Sequence, residues 1–164
     1  MPDRPIREAG IILIACSVCG IGITHFVLPG LRPILAPIPP EALWSWVGPV
    51  AGGIFIVAGF LLAIKRTRLG ACLFLGVAFL LLFTLGHLPN RIRYNPEILA
   101  FWTDTLKLLA MTGAMMTIAL FSKEWGPSQA KWLSKGKYAF ALMLVVFGID
   151  HYLYVDFVST MVPS

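Results

Sequence analysis

Leu69-Gly70-Ala71-Cys72-Leu73-Phe74-Leu75-Gly76-Val77-Ala78-Phe79-Leu80-Leu81-Leu82-Phe83-Thr84-Leu85-Gly86-His87-Leu88 is a run of 20 residues without an Asp, Glu, Lys or Arg. As a helix rising 1.5 Å per residue it reaches about 30 Å, the thickness of a bilayer's hydrocarbon core. Backbone N–H and C=O groups find no water there, so a crossing segment must be a helix or a strand of a closed barrel. The run lacks the apolar/polar alternation of a barrel strand. It reads as a transmembrane helix.

Four more apolar segments of similar length lie around it, at 8–28, 43–64, 98–121 and 138–158. The chain is 58% hydrophobic and 13% charged, where soluble domains run at about 45–50% and about 25%. Such a chain cannot cover its surface with polar groups in water. The expected fold is all-α, a polytopic transmembrane helical bundle of about five spans in a lipid bilayer. Arg4 and Arg7 precede the first span as in a signal peptide, but no small-residue cleavage site of the A-x-A kind follows, so it reads as retained. Cleavage after Ala15 or Gly20 is the lesser reading.

The net charge of +5 does not point to nucleic acid, because the 13 Lys and Arg sit between apolar blocks and form no continuous basic stripe. They read as topology, since positive charge is retained on the cytoplasmic side. Arg4, Arg7, Lys65, Arg66, Arg68, Lys123, Lys131, Lys135 and Lys137 fall on one side, and Arg32, Arg91 and Arg93 on the other, nine against three. The expectation is N-terminus in, C-terminus out. Trp44, Trp46, Tyr94, Trp102, Tyr152 and Tyr154 would anchor the outer interface, and Trp125, Trp132 and Tyr138 the inner one. The loop 29–41 combines Pro29, Pro33, Pro37, Pro39 and Pro40 with Leu31, Ile34, Leu35 and Ile38. It should lie on, or dip into, the outer surface.

Gly22-Ile23-Thr24-His25-Phe26 recurs as Gly148-Ile149-Asp150-His151-Tyr152, and the register carries Leu31 to Phe157 and Pro37 to Pro163. Both copies end an odd-numbered span. Ser164 corresponds to Ile38, ahead of the point where the first copy begins its next helix. The expectation is a fragment of a longer protein, or a chain whose bundle a second subunit completes.

Several residues together resemble one family. Gly22-Ile23-Thr24-His25-Phe26, the proline-rich loop, Gly52-Gly53, Gly59, Arg66-x-Arg68, Trp102-Thr103-Asp104-Thr105-Leu106-Lys107 and Gly113-Ala114 look like DoxX-type membrane proteins. The likeness covers roughly 15–121, with a restart near Phe147. It implies a small four-helix unit, sometimes duplicated, whose relatives include the small membrane subunit of thiosulfate:quinone oxidoreductase. Residues 1–121 would then be the four-helix unit, 122–137 a basic cytoplasmic loop, and 138–164 a fifth span starting a second repeat. The expected location is the cytoplasmic membrane of a prokaryote.

The orientation gathers His25, His87 and His151 at the outer side, with Asp150 beside them. Asp104 and Lys107 lie roughly 9 and 14 Å along the fourth span. A charge there costs at least ~2.5 kcal/mol, so both should face the bundle. Their spacing of three places them on one helical face, where pairing lowers the cost. The pair reads either as glue between helices or as part of a polar site with His25, His87, Asp150 and His151. Neutral imidazoles and a carboxylate can ligate metal, but no two histidines stand at helical ligand spacing, so no metal is expected.

Cys16-Ser17-Val18-Cys19 has the redox spacing, yet it sits inside a membrane helix rather than at a helix N-terminus. Its two readings are a pair of small core residues and a weak redox site, with Cys72 distant from both. Gly20, Gly22, Gly48, Gly52, Gly53 and Gly59 provide small surfaces for helix packing. Met111, Met115 and Met116 read as filler. No phosphate loop, serine-nucleophile motif or dinucleotide fingerprint occurs.

The leading expectation is a membrane subunit that supports a redox process by holding a quinone-sized molecule. The three histidines would hydrogen-bond its oxygens, and Asp104 with Lys107 would handle charge or protons. Its partners would be a redox subunit and further copies of the chain. The rivals are a transporter or transport accessory and a scaffold without a ligand.

Overall fold

The computed structural model describes residues 4–28, 30–31, 34–37, 44–94 and 96–155. Every regular element among them is helical. In order they are α1 (Arg4–Val27), α2 (Val47–Ala63), α3 (Arg68–Leu81), a π-helical segment (Leu82–His87), α4 (Leu88–Arg93), a 3-10 turn (Leu99–Phe101), α5 (Trp102–Leu120), α6 (Pro127–Leu133) and α7 (Gly136–Leu153).

Three stretches are long and apolar enough to cross a membrane: α1, the continuous helix Arg68–Arg93, and Pro127–Leu153, which joins α6 to α7. Helix α2 is apolar but shorter, at 17 residues. Helix α5 has 19 residues and carries Asp104, Lys107 and four threonines. Large side chains such as Leu13, Phe60, Phe74, Leu85 and Val145 point outward, an apolar surface far beyond what a monomer shows to water.

The helices pack in succession, α1 on α2, α2 on α3, α3 on α5 and α5 on α7. Val18, Leu62, Leu75, Phe79 and Leu108 fill the middle and are fully buried. Lipid is as apolar as leucine, so such helices hold together by close approach and polar contacts rather than by exclusion from water. Glycine makes the approach possible. A Cβ on Gly22 would stand 2.7 Å from the Gly52 carbonyl oxygen, and one on Gly52 2.7 Å from that of Gly22. Gly59 meets Cys19 and the Ala15 carbonyl in the same way. Gly20 and Gly53, also expected to pack, have open space where a Cβ would go. The α5–α7 contact rests on a second glycine pair, Gly113 against Gly136.

The third apolar run is not one regular α-helix. Its turn at Leu82–His87 widens, and the Leu88 N–H bonds to the Phe83 carbonyl five residues back. Pro89 follows; it has no N–H to donate to Leu85, and its ring crowds that carbonyl. A wider turn relieves the crowding and rotates His87 into the interior.

The loop after α1 turns at Gly30, φ 74°, a conformation that glycine adopts without a Cβ clash. Its apolar residues Leu35 and Ala36 are buried, and Ile34 packs on the core. Of the expected 29–41 loop, only 30–31 and 34–37 are described. The end of the fifth span, and the repeat from Phe157 to Pro163, lie outside the described residues. Within the stretch expected as loop, Pro127–Leu133 forms helix α6.

At the end of the bundle where α1 begins, Arg68 is 6% exposed. Its guanidinium takes both Glu8 oxygens, Nη1 to Oε1 at 3.1 Å and Nη2 to Oε2 at 3.0 Å. Nε and Nη2 also donate to the Leu62 and Ala63 carbonyls at the end of α2. One side chain thus ties the starts of α1 and α3 to the end of α2.

Candidate functional site

The polar residues expected to form a site lie where α1 ends and α5 begins. His87 is 1% exposed, and neither ring nitrogen closes a hydrogen bond. The backbone at Ile34 and Leu35 and the charges of Asp104 and Arg91 lie near enough to act on the ring. The approach of that backbone falls outside good hydrogen-bond geometry, where such a bond weakens steeply.

The π segment packs against α5, whose first turns carry Asp104, Thr105 and Lys107. Thr105 is fully buried, and its hydroxyl has no partner. Thr112 and Thr117 donate instead to the carbonyl four residues back, at 3.0 and 2.9 Å. An unpaired buried hydroxyl costs about 1–3 kcal/mol. Thr105→Val, which keeps the shape and drops the hydroxyl, should therefore raise stability by about 1 kcal/mol in thermal unfolding. Thr112→Val should give no gain; a loss of stability in Thr105→Val would show that the hydroxyl already has a partner.

Asp104 and Lys107 form the expected ion pair, 3.0 Å apart and partly exposed. Lys107 also lies 5.8 Å over the Phe147 ring. Asp150 is half-buried, with Oδ1 buried and unpaired, at the end of α7 that meets the 3-10 turn. The Arg91 Nε is likewise buried and unpaired, and its guanidinium sits 5.4 Å over the Phe101 ring of that turn.

His25 is 2% exposed; its Nδ1 lies 2.7 Å from the Ile21 carbonyl and its ring stacks on Phe55. His151 repeats the local bond, Nδ1 to the Phe147 carbonyl at 2.8 Å, but is exposed. The repeat thus reproduces a local bond without reproducing its setting. Gly22 meets α2, while Gly148 meets nothing within 4 Å.

Cys16 is exposed, Cys19 lies 3.6 Å from the Ile56 carbonyl, and Cys72 is buried. All three are free thiols. No group of three metal-ligating side chains occurs among the described residues.

Beside the polar cluster runs a trough that the sequence did not announce. The main helix packing of the bundle does not include α1 on α5, and α7 forms an outer wall of the cleft between them through Phe140 and Met143. One part, about 300 Å³, is lined by Ile14, Val18, Ile34, Met111 and Phe140 and by a single charged residue, Lys107. A second part of about 290 Å³ shares Ile14, Ala114 and Phe140 and ends at Lys137. Ile34 connects the trough to the cluster, since it lines the first part while its backbone lies near the His87 ring.

Fold and site together define an all-helical protein with three helices long and apolar enough to cross a membrane and a buried polar cluster at one end. Compared with known protein families, with characterised proteins and with solved structures, the chain matches none.

Proposed function

We propose that the chain is a DoxX-like integral membrane protein of a prokaryotic cytoplasmic membrane, crossing five times with its N-terminus inside. In this reading it holds a quinone-sized amphiphile in the cleft between α1 and α5, in support of a redox partner. The observation that carries it is the trough, apolar along its length and ending at Lys107. An isoprenoid tail suits the apolar walls, and a carbonyl head at Lys107 would receive a charge-assisted hydrogen bond. Asp104 holds the ammonium in place. His87 stands behind Ile34 as a donor or acceptor that the head reaches if the loop yields. His25 supports α1 against Phe55, and His151 lies outside this arrangement.

Binding is read by quenching of tryptophan fluorescence as a short-chain quinone is titrated into the purified protein. Lys107→Met should weaken it at least about tenfold, the size of one lost hydrogen bond to a charged group. Met111→Trp, which fills the trough, should weaken it too. Wild-type affinity in both variants would sink the reading.

A transporter is the second reading, favoured by the unpaired polar atoms on His87, Thr105, Arg91 and Asp150. Such atoms suit a hydrated path, since buried polar groups elsewhere are nearly always paired. Solute flux in vesicles that stops in a His87→Leu variant would favour it. If alanine at His87, Asp104 and Lys107 changed stability alone, the scaffold reading would stand.

A further inference from the structure

We propose that the other end of the trough binds one anionic phospholipid, with an acyl chain between α1 and α7 and its phosphate held by Arg7 and Lys137. The end is built for it on both lips. Lys137 lines the recess with Thr117 and Ile118 of α5. Arg7, on α1, lies 5.0 Å over the ring of Phe121, which follows Thr117 and Ile118 by one helical turn. Arg7, about two turns before Ile14 on α1, and Lys137, at the start of α7, thus stand toward the same end of the trough.

Neither makes an ion-pair contact with a carboxylate among the described residues, where the ion pairs are Arg68–Glu8 and Lys107–Asp104, although Glu8 feels the charge of Arg7. Glu8, the nearest acid in sequence to Arg7, is already taken by Arg68.

The level of this mouth is that of lipid headgroups. Lys123 packs 4.0 Å over Trp125, Lys135 3.9 Å over Trp132, and Lys137 5.2 Å over Tyr138. Aromatic rings with basic neighbours mark the boundary between hydrocarbon and water. Inward from the mouth the walls are Ile14, Ala114, Ile118 and Phe140, which suit an acyl chain and offer no partner to a polar one. Charge complementarity selects an anionic head, and basic pockets between membrane helices bind such heads. A zwitterionic lipid gains less, because its choline meets the same two cations.

The test counts lipids retained by the full chain in native mass spectrometry after extraction from nanodiscs containing equal phosphatidylglycerol and phosphatidylcholine. One phosphatidylglycerol should remain bound in preference. Each lost cation should lower the preference about fivefold, so Arg7→Gln with Lys137→Gln lowers it about 25-fold. Lys137→Arg should keep it.

Lys131→Gln with Lys135→Gln removes equal charge from the same end, outside the trough, where salt and water screen it, and should leave the preference within about twofold. Equal retention of both lipids, or an equal loss in the Lys131/Lys135 pair, overturns the proposal, since either means diffuse surface charge. No quinone enters this measurement, so its outcome is separate from that of the quinone titration.

Discussion

Glu8→Ala should destabilise the folded protein by about 3 kcal/mol, the lower end of what breaking a buried ion pair costs. Arg68 is the reason. Its side chain is 7% exposed and Glu8's 28%, so removing the carboxylate leaves a largely buried cation whose access to water is the partly open space that Glu8 vacates, and the loss stays at the lower end of the range. Arg68→Ala should cost at least as much, because the last carbonyls of α2, at Leu62 and Ala63, lose their donor as well. The double variant Glu8→Ala with Arg68→Met should recover part of the loss, as an apolar side chain leaves no charge behind.

The comparison is with Asp104→Ala. Both members of that pair are more than a third exposed, and it should cost less than about 1 kcal/mol. Reversible unfolding in mixed micelles measures all four. Glu8→Ala matching wild type would mean that the clamp carries no stability.

Gly52→Leu should prevent α1 and α2 from docking, at a cost of about 3 kcal/mol or more, the upper range for overpacking. A Cβ there would stand 2.7 Å from the Gly22 carbonyl oxygen and 3.0 Å from the Cβ of His25. Those neighbours are backbone and the root of a side chain, so no rotamer change relieves the clash. Gly22→Leu should do the same from the other side. Gly53→Leu, one residue along and with open space around it, should leave folding intact. Yield of monodisperse protein and its thermal midpoint report the difference. If Gly52→Leu and Gly53→Leu behaved alike, the close approach of the two helices would be absent.

Glycine shows where reading the sequence stops. The pattern named Gly22, Gly48, Gly52 and Gly59 as packing positions, and each lies against another element. It names Gly20 and Gly53 with equal force, and at neither would a Cβ meet another group within 4 Å. Composition says that a small residue permits approach, while which face approaches is set by the partner helix. The pair Gly113–Gly136 carries no such signal, because the sequence puts Gly136 in the basic loop 122–137 and only the structure starts α7 there.

The polar residues divide in the same way. Asp104 and Lys107 were readable as a pair because helical spacing alone brings them together. His87 was readable as a histidine at a span end, but its burial depends on the π turn ahead of Pro89 and on the loop at Ile34–Leu35, which comes from far upstream. Thr105 gave no signal, since a threonine in a helix ordinarily satisfies itself on the preceding turn. Arg68 reads in the sequence as one of the topology charges, yet its partner stands 60 residues away.

The sequence by itself determined the solvent, the helical class and the places of most apolar helices, because hydrocarbon length and unpaired backbone groups leave little choice. It also determined the local pair Asp104–Lys107. Tertiary structure alone decided the Arg68–Glu8 clamp, the bare face at His151 against the buried one at His25, and the trough between α1 and α5. Each of these is a relation between surfaces distant in the chain. Hydrophobicity cannot rank such surfaces when the medium around them is equally apolar, and the fit of backbone against backbone decides.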